Sequence, residues 1–252
     1  MIDLPWSTLV AAAGIVALAY VVYGLTGFGA SMVAIPFLAH LFPLRFAVPM
    51  MLLFDLCAGL LLGLRHFRLV DHRELLRLAP WLLAGMAGGV TLLVHAGERG
   101  LLALLGGFVL AYASWSLLGR APLQPASTRW SVPAGLFGGA FTALFGTGGP
   151  IYTVYLARRL TDKHVLRASI GLLIFCTALV RLVLFTGSGF YDQPGLLTLA
   201  LLLLPAAALG FFAGSRMHAR LPAQQAVKAV WLLLIMGGLS LLLRAWTLNG
   251  GA

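Results

Sequence analysis

Apolar runs of about 17 residues or more recur from end to end of this chain, long enough to cross a bilayer. Charged residues make up 10% of its 252 residues, against about 25% in a soluble domain. Backbone inside hydrocarbon must satisfy its own hydrogen bonds, and the runs lack β-type alternation. The chain is therefore expected to be an all-α, polytopic membrane protein. Segments are predicted at 5–23, 30–42, 46–64, 78–95 and 101–118, then at 130–145, 150–156, 165–186, 194–215 and 226–243. The N-terminus has no positive leader stretch, so the first segment is expected to stay as a span. Glu98-Arg99 reads as a tight turn.

Two glycine clusters interrupt the apolar runs. The first is Gly24-Leu25-Thr26-Gly27-Phe28-Gly29-Ala30-Ser31, and the second is Gly146-Thr147-Gly148-Gly149-Pro150. Gly27 to Gly146, Gly29 to Gly148 and Cys57 to Cys176 are all 119 residues apart. Pro80, Gly85 and Gly89 match Pro205, Gly210 and Gly214 at 125, and Gly106-Gly107 matches Gly237-Gly238 at 131. Ordered matches of this kind mark an internal repeat. The reading is a first membrane repeat at 1–119, a linker at 120–129 carrying Pro122 and Pro125, and a second repeat at 130–252. Each repeat has five helical segments, giving eight full spans plus two short ones.

Loop charge orients this plan. The loops at 65–77, 120–129, 158–167 and 216–228 hold 13 Lys/Arg residues, and the opposite side holds Arg45, Arg99 and Arg244. The positive-inside rule puts the first set in the cytoplasm and both termini outside. Five segments is an odd number, so the two repeats have inverted topology. That is an architecture of secondary transporters, whose sites lie near the midplane. The short second segment of each half, about thirteen residues at most and ~1.5 Å each, falls short of the ~30 Å hydrocarbon core. It either crosses or, as its short length favours, re-enters as a V with its glycine tip at depth.

A glycine tip followed by a helix start exposes backbone N–H groups and a positive dipole end. Pro150 suits the first turn of such a helix. The tips are read as an anion cradle formed by Thr26, Gly27, Phe28, Gly29 and Ser31 in one half and Gly146, Thr147, Gly148 and Gly149 in the other. Gly148→Leu would fill the tip. The competing reading is close helix crossing, which also explains Gly85/Gly89 and Gly210/Gly214. Arg181 and Asp55 are ionisable residues inside spans and so candidates for function. Arg181 shares a helix face with Thr177 and Ser169 and is read as binding an anion. Asp55 is read as a coupling or gating group, or as the partner of Arg181. The alternatives are a buried structural pair, or an Arg181 that snorkels to the interface.

Other chemistry finds little support. The net charge of +10 sits in short loops without interleaved aromatics, which argues against nucleic acid. Cys57 and Cys176 lack metal-ligand spacing and are read as packing residues that line the cavity, not as redox groups. No metal and no cofactor is expected. The six histidines fall at segment ends or in loops, and none is placed to serve a serine at depth. An intramembrane enzyme is therefore the weaker class.

The motifs Gly24-Leu25-Thr26-Gly27-Phe28-Gly29-Ala30 and Phe145-Gly146-Thr147-Gly148-Gly149-Pro150, with the Pro-x4-Gly-x3-Gly segments, resemble the TauE/SafE family. These are sulfite exporters or toluene-sulfonate uptake permeases, and the resemblance covers about residues 8–245. It implies a multi-pass protein of the bacterial inner membrane that moves sulfite, sulfoacetate or other organosulfonates. Alternating access would rock one half against the other around the tips. Another small anion is the alternative cargo. The expected partners are that anion and the lipid bilayer, with a homodimer left open.

Overall fold

The computed structural model describes residues 5–26, 29–63, 69–117, 126–217 and 223–247. Among these residues every regular element is helical. The α-helices are α1 (Trp6–Thr26), α2 (Ser31–Leu38), α3 (Leu44–Gly63), α4 (His72–His95), α5 (Glu98–Leu117), α6 (Ser131–Phe145), α7 (Gly149–Arg159), α8 (Lys163–Gly187), α9 (Leu196–Met217) and α10 (Ala223–Thr247). They follow the apolar runs, with shifted ends: α4 starts at His72, inside the stretch read as a loop to residue 77, α2 stops at Leu38 instead of 42, and α7 runs on to Arg159 instead of 156. Two further differences touch the motifs. α1 continues through Gly24 to Thr26, past the start of the first glycine cluster, and α2 begins at Ser31. Glu98 and Arg99 open α5, and the turn falls one step earlier at Ala96-Gly97. An acidic residue in a first turn complements the helix dipole, which is why Glu98 starts a helix instead of turning the chain.

Among the described residues, six helical stretches are long and apolar enough to cross a membrane: Trp6–Leu25, His72–His95, Glu98–Leu117, Lys163–Gly187, Leu196–Met217 and Val230–Thr247. The eight-span expectation also counted α3 and α6. α6 has 15 residues because Gly146 ends it in the left-handed conformation, at φ 67°. α2 and α7 have 8 and 11 residues. At ~1.5 Å per residue they reach only about 12 and 16 Å, well short of the ~30 Å core.

The chain divides into two compact units. The first holds Met1–Met51, Ala96–Arg120 and Tyr191–Ala252, and the second holds Leu52–His95 and Ala121–Phe190. Each therefore draws on both sides of the 120–129 linker. In the first unit α1 packs on α9 and α5 packs on α10, while α2 rests on α1 and α10. The α1–α9 crossing is so close that a Cβ on Gly210 would overlap the Ala17 carbonyl oxygen, and one on Gly214 that of Val21. His40, just past α2, lies 3.0 Å through Nδ1 from the Pro36 carbonyl and 2.6 Å through Nε2 from the Ser240 hydroxyl of α10.

In the second unit α4 packs on α6 through an equally close crossing. A Cβ on Gly85 would overlap the Leu136 carbonyl oxygen, and one on Gly89 would lie 2.6 Å from that of Ala140. α7 lies against α6 and α8, and α8 against α4. Leu78, Leu82, Tyr152, Tyr155, Leu156 and Leu173 fill the space between these helices.

A polar clasp ties α7 to α4. Glu74, 4% exposed, accepts from the Tyr155 hydroxyl at 2.8 Å, from Arg159 Nη2 and Nε at 2.8 and 3.2 Å, and from Arg77 at 2.5 Å. Arg159 also donates to the Ala126 carbonyl at 3.2 Å. The bonded Glu74 carboxylate pushes the Arg159 guanidinium above its usual range. α8 starts at Asp162, whose carboxylate accepts from His164 N at 2.7 Å and Val165 N at 3.3 Å. Those N–H groups hold its pKa below the usual value. The cap is therefore complete above the ordinary carboxylate range and is lost as pH falls through the lowered value.

These contacts set two expectations for thermal unfolding of the purified chain in detergent. Gly85→Ala should cost about 1–3 kcal/mol by overpacking the crossing. Gly88→Ala, with nothing within 4 Å of its Cβ, should instead stabilise by roughly 0.5–1 kcal/mol. Glu74→Ala removes four hydrogen bonds to a buried carboxylate and should cost about 1–3 kcal/mol, since Arg77 and Arg159 can rehydrate.

Candidate functional site

The second glycine cluster is a tight join between two helices. Gly146 caps α6 by donating to the Thr142 carbonyl at 2.8 Å, and Thr147 N–H donates to the Phe141 carbonyl at 3.3 Å. Gly148 then caps α7, with Pro150 in its first turn and no side chain on the helix start. The first N–H groups of α7 have no acceptor within the helix, and among the described residues no backbone acceptor is found for Gly148 or Gly149 N–H. Thr147 is 1% exposed, and its hydroxyl has no hydrogen-bond partner among the described residues. A buried hydroxyl without a partner therefore lies at the same join as the uncapped amides.

The glycines of this join have different jobs. A Cβ on Gly148 would overlap the Gly138 carbonyl and the Thr142 hydroxyl of α6. Gly148 is therefore a packing glycine, and Gly148→Leu would disrupt the α6–α7 contact before it filled any cradle. Gly149 is different. A Cβ there meets only the Tyr152 hydroxyl, at 3.6 Å.

Tyr152 organises the rest. It is 2% exposed, and its ring edge passes Gly138 of α6. Helical side chains lean toward the N-terminus, so its hydroxyl turns back to the start of α7. Thr142 of α6, Thr177 and Arg181 of α8, and Asp55 of α3 all lie near enough to act on that hydroxyl. Arg181 is 3% exposed and stands over the Phe185 ring at 5.4 Å, a cation–π contact. Thr177 is 5% exposed and donates to the Ile174 carbonyl at 3.0 Å, leaving its oxygen lone pairs available. Ser169, two turns further down the same α8 face, is fully buried and accepts from Asp71 N–H at 3.0 Å.

Of the sequence-predicted residues of the second half and α3, Gly149 and Thr177 adjoin the Tyr152 hydroxyl, and Arg181 and Asp55 act on it electrostatically. Tyr152 and Thr142 were not singled out in the sequence, although each stands within one turn of the glycines. In the first unit, Ser31 is buried in the first turn of α2, and a Cβ on Gly29 would meet nothing within 4 Å. Gly27, Phe28 and the Thr26 side chain lie outside the described residues. Cys57 and Cys176 are free thiols exposed on their helices, not packed within the fold. Among the described residues no three metal-ligating side chains come together.

Comparison with known proteins bears on this arrangement. The family model for the sulfite exporter TauE/SafE matches residues 11–241. A protein of Comamonas testosteroni called "Probable inner membrane transporter protein TsaS" is 29% identical over 200 residues, which is 78% of this chain and 83% of that protein. No solved structure matches significantly. Family and relative point to a membrane transporter rather than an enzyme. With nearly its whole length matched, the chain belongs to the TauE/SafE sulfite exporter family.

Proposed function

We propose that the chain is a secondary transporter of the bacterial inner membrane that carries small sulfur-containing anions, such as sulfite, sulfoacetate or other organosulfonates, by alternating access. The observation that carries this reading is the buried Arg181 guanidinium, whose charge acts on the Tyr152 hydroxyl near the uncapped start of α7. A charge in a membrane segment is costly and is kept where it meets a polar cargo. A planar guanidinium, hydroxyls and backbone N–H groups are the donors that oxygens on sulfur require. The inner-membrane setting rests on the relative's name. Asp55 serves as the coupling or gating group, and the loop charges put both termini outside.

The inverted-repeat reading has its own support. Gly85 and Gly89 face Leu136 and Ala140, while Gly210 and Gly214 face Ala17 and Val21. Adding 119 to 17 and 21 gives 136 and 140, and adding 125 to 85 and 89 gives 210 and 214. The same helix crossing is therefore made twice with the halves exchanged, as two repeats that trade partners require.

Uptake of radiolabelled sulfite into proteoliposomes tests the transport reading. Arg181→Ala should lower it at least about tenfold, by loss of a charge-assisted bond in the membrane, while the chain still elutes as a folded species. Unchanged uptake would remove Arg181 from the path. Gly149→Leu has room beside Tyr152 and should block uptake without unfolding, and a fully active variant would return the tip to a packing role.

A further inference from the structure

Asp71 and Glu74, one turn apart at the start of α4, hold both helices that carry the proposed anion site. The Asp71 backbone N–H donates to the Ser169 hydroxyl of α8 at 3.0 Å. The Asp71 carboxylate accepts from the backbone N–H groups of Arg73 and Glu74 at 3.0 and 3.1 Å, which fixes the first turn of α4. Glu74 in turn accepts from the Tyr155 hydroxyl of α7 at 2.8 Å and from Arg159 at 2.8 and 3.2 Å. Ser169 is fully buried and Glu74 nearly so, so water competes little for these bonds. α7 and α8 are thus pinned to the same four residues of chain.

Both pins fall on the faces that lead to the site. Tyr152, Tyr155 and Arg159 follow one another at intervals of three and four, a single stripe along α7. At the top of that stripe a Cβ on Gly149 would lie 3.6 Å from the Tyr152 hydroxyl. On α8, Ser169, Thr177 and Arg181 form the matching stripe, about 18 Å long. Leu78, Leu82, Leu156 and Leu173 pack these helices together, but apolar contact has no preferred direction, whereas a hydrogen bond fixes an angle and a distance. We infer that Asp71, Glu74, Tyr155 and Ser169 are positioning residues for the anion site: from the start of α4 they set the rotation and height of α7 against α8, and so where the Tyr152 hydroxyl and the α7 amides stand. The inference rests on the anion-site reading above and adds the distant residues that tune its affinity. Donors to a bound group work when held within about 0.5 Å of their place, which is the task of such supporting bonds.

The test is a double-mutant cycle on sulfite binding to the full-length chain in detergent, by titration calorimetry. Tyr155→Phe removes one bond to Glu74 and keeps the buried ring. It should weaken sulfite about fivefold, the scale of one hydrogen bond. In a Tyr152→Phe background the same change should cost less than about twofold, because the hydroxyl it misplaces is gone. A bond that serves stability alone would lower the melting temperature in both backgrounds and leave the affinity of the folded protein unchanged. Unchanged affinity in a folded Tyr155→Phe, or the same loss in both backgrounds, overturns the inference. If Tyr155→Phe does not fold, Ser169→Ala decides: it should also weaken sulfite, and undiminished binding overturns the inference. Binding that Arg181→Ala abolishes while Tyr155→Phe leaves it untouched keeps the anion site and removes its remote control. Binding untouched by Arg181→Ala, or no sulfite binding by the wild type, overturns the anion site and this inference with it.

Discussion

A helix that stops within a membrane leaves backbone groups that water cannot reach, and the protein around the break must answer for them. The join from α6 to α7 is a helix break, and much of the second unit is arranged about it. Gly146 turns the chain, Gly148 brings α7 against α6, and Pro150 starts the new helix without needing a donor of its own. The start of α7 remains uncapped by any side chain. Buried polar groups gather there: Thr147, the Tyr152 hydroxyl, Thr177 and Arg181. On the proposed anion site, the break and the buried charge serve the same polar guest.

The two ends of α7 are held differently. Its start is free of side-chain caps, while its end is clasped by Glu74, Arg159 and Tyr155 to the start of α4. The clasp is saturated with hydrogen bonds, and the start is not. A rigid anchor at one end allows the donors at the other to be positioned without being consumed. The glycine crossing of α4 and α6 provides the surface against which this is set, and its counterpart between α9 and α1 repeats the geometry in the first unit.

Much of this was legible in the chain because membrane helices write their length in apolar runs. The shared face of Ser169, Thr177 and Arg181 followed from spacings of four and twelve, and all three are buried. The glycine tip at 146–149 was legible as a break because glycine and proline have few other uses inside an apolar run. What escaped was orientation and distance along the chain. Tyr152 reads as one more bulky core residue, and nothing in the sequence says that its hydroxyl leans back over Gly149. Glu74 sits among arginines at a helix start and reads as a solvated charge, yet its partners Tyr155 and Arg159 come from 81 and 85 residues away. Gly148 and Gly149 look alike in sequence, but only the packing of α6 separates the one that is jammed from the one that is open.

The central claim is that an anion sits at the start of α7 with Arg181. The most direct measurement is to locate a bromine-labelled sulfonate by anomalous scattering in crystals of the whole chain. The account predicts a bromine peak beside Arg181, the Tyr152 hydroxyl and Gly149. A peak elsewhere, with that place empty at saturating sulfonate, would contradict it.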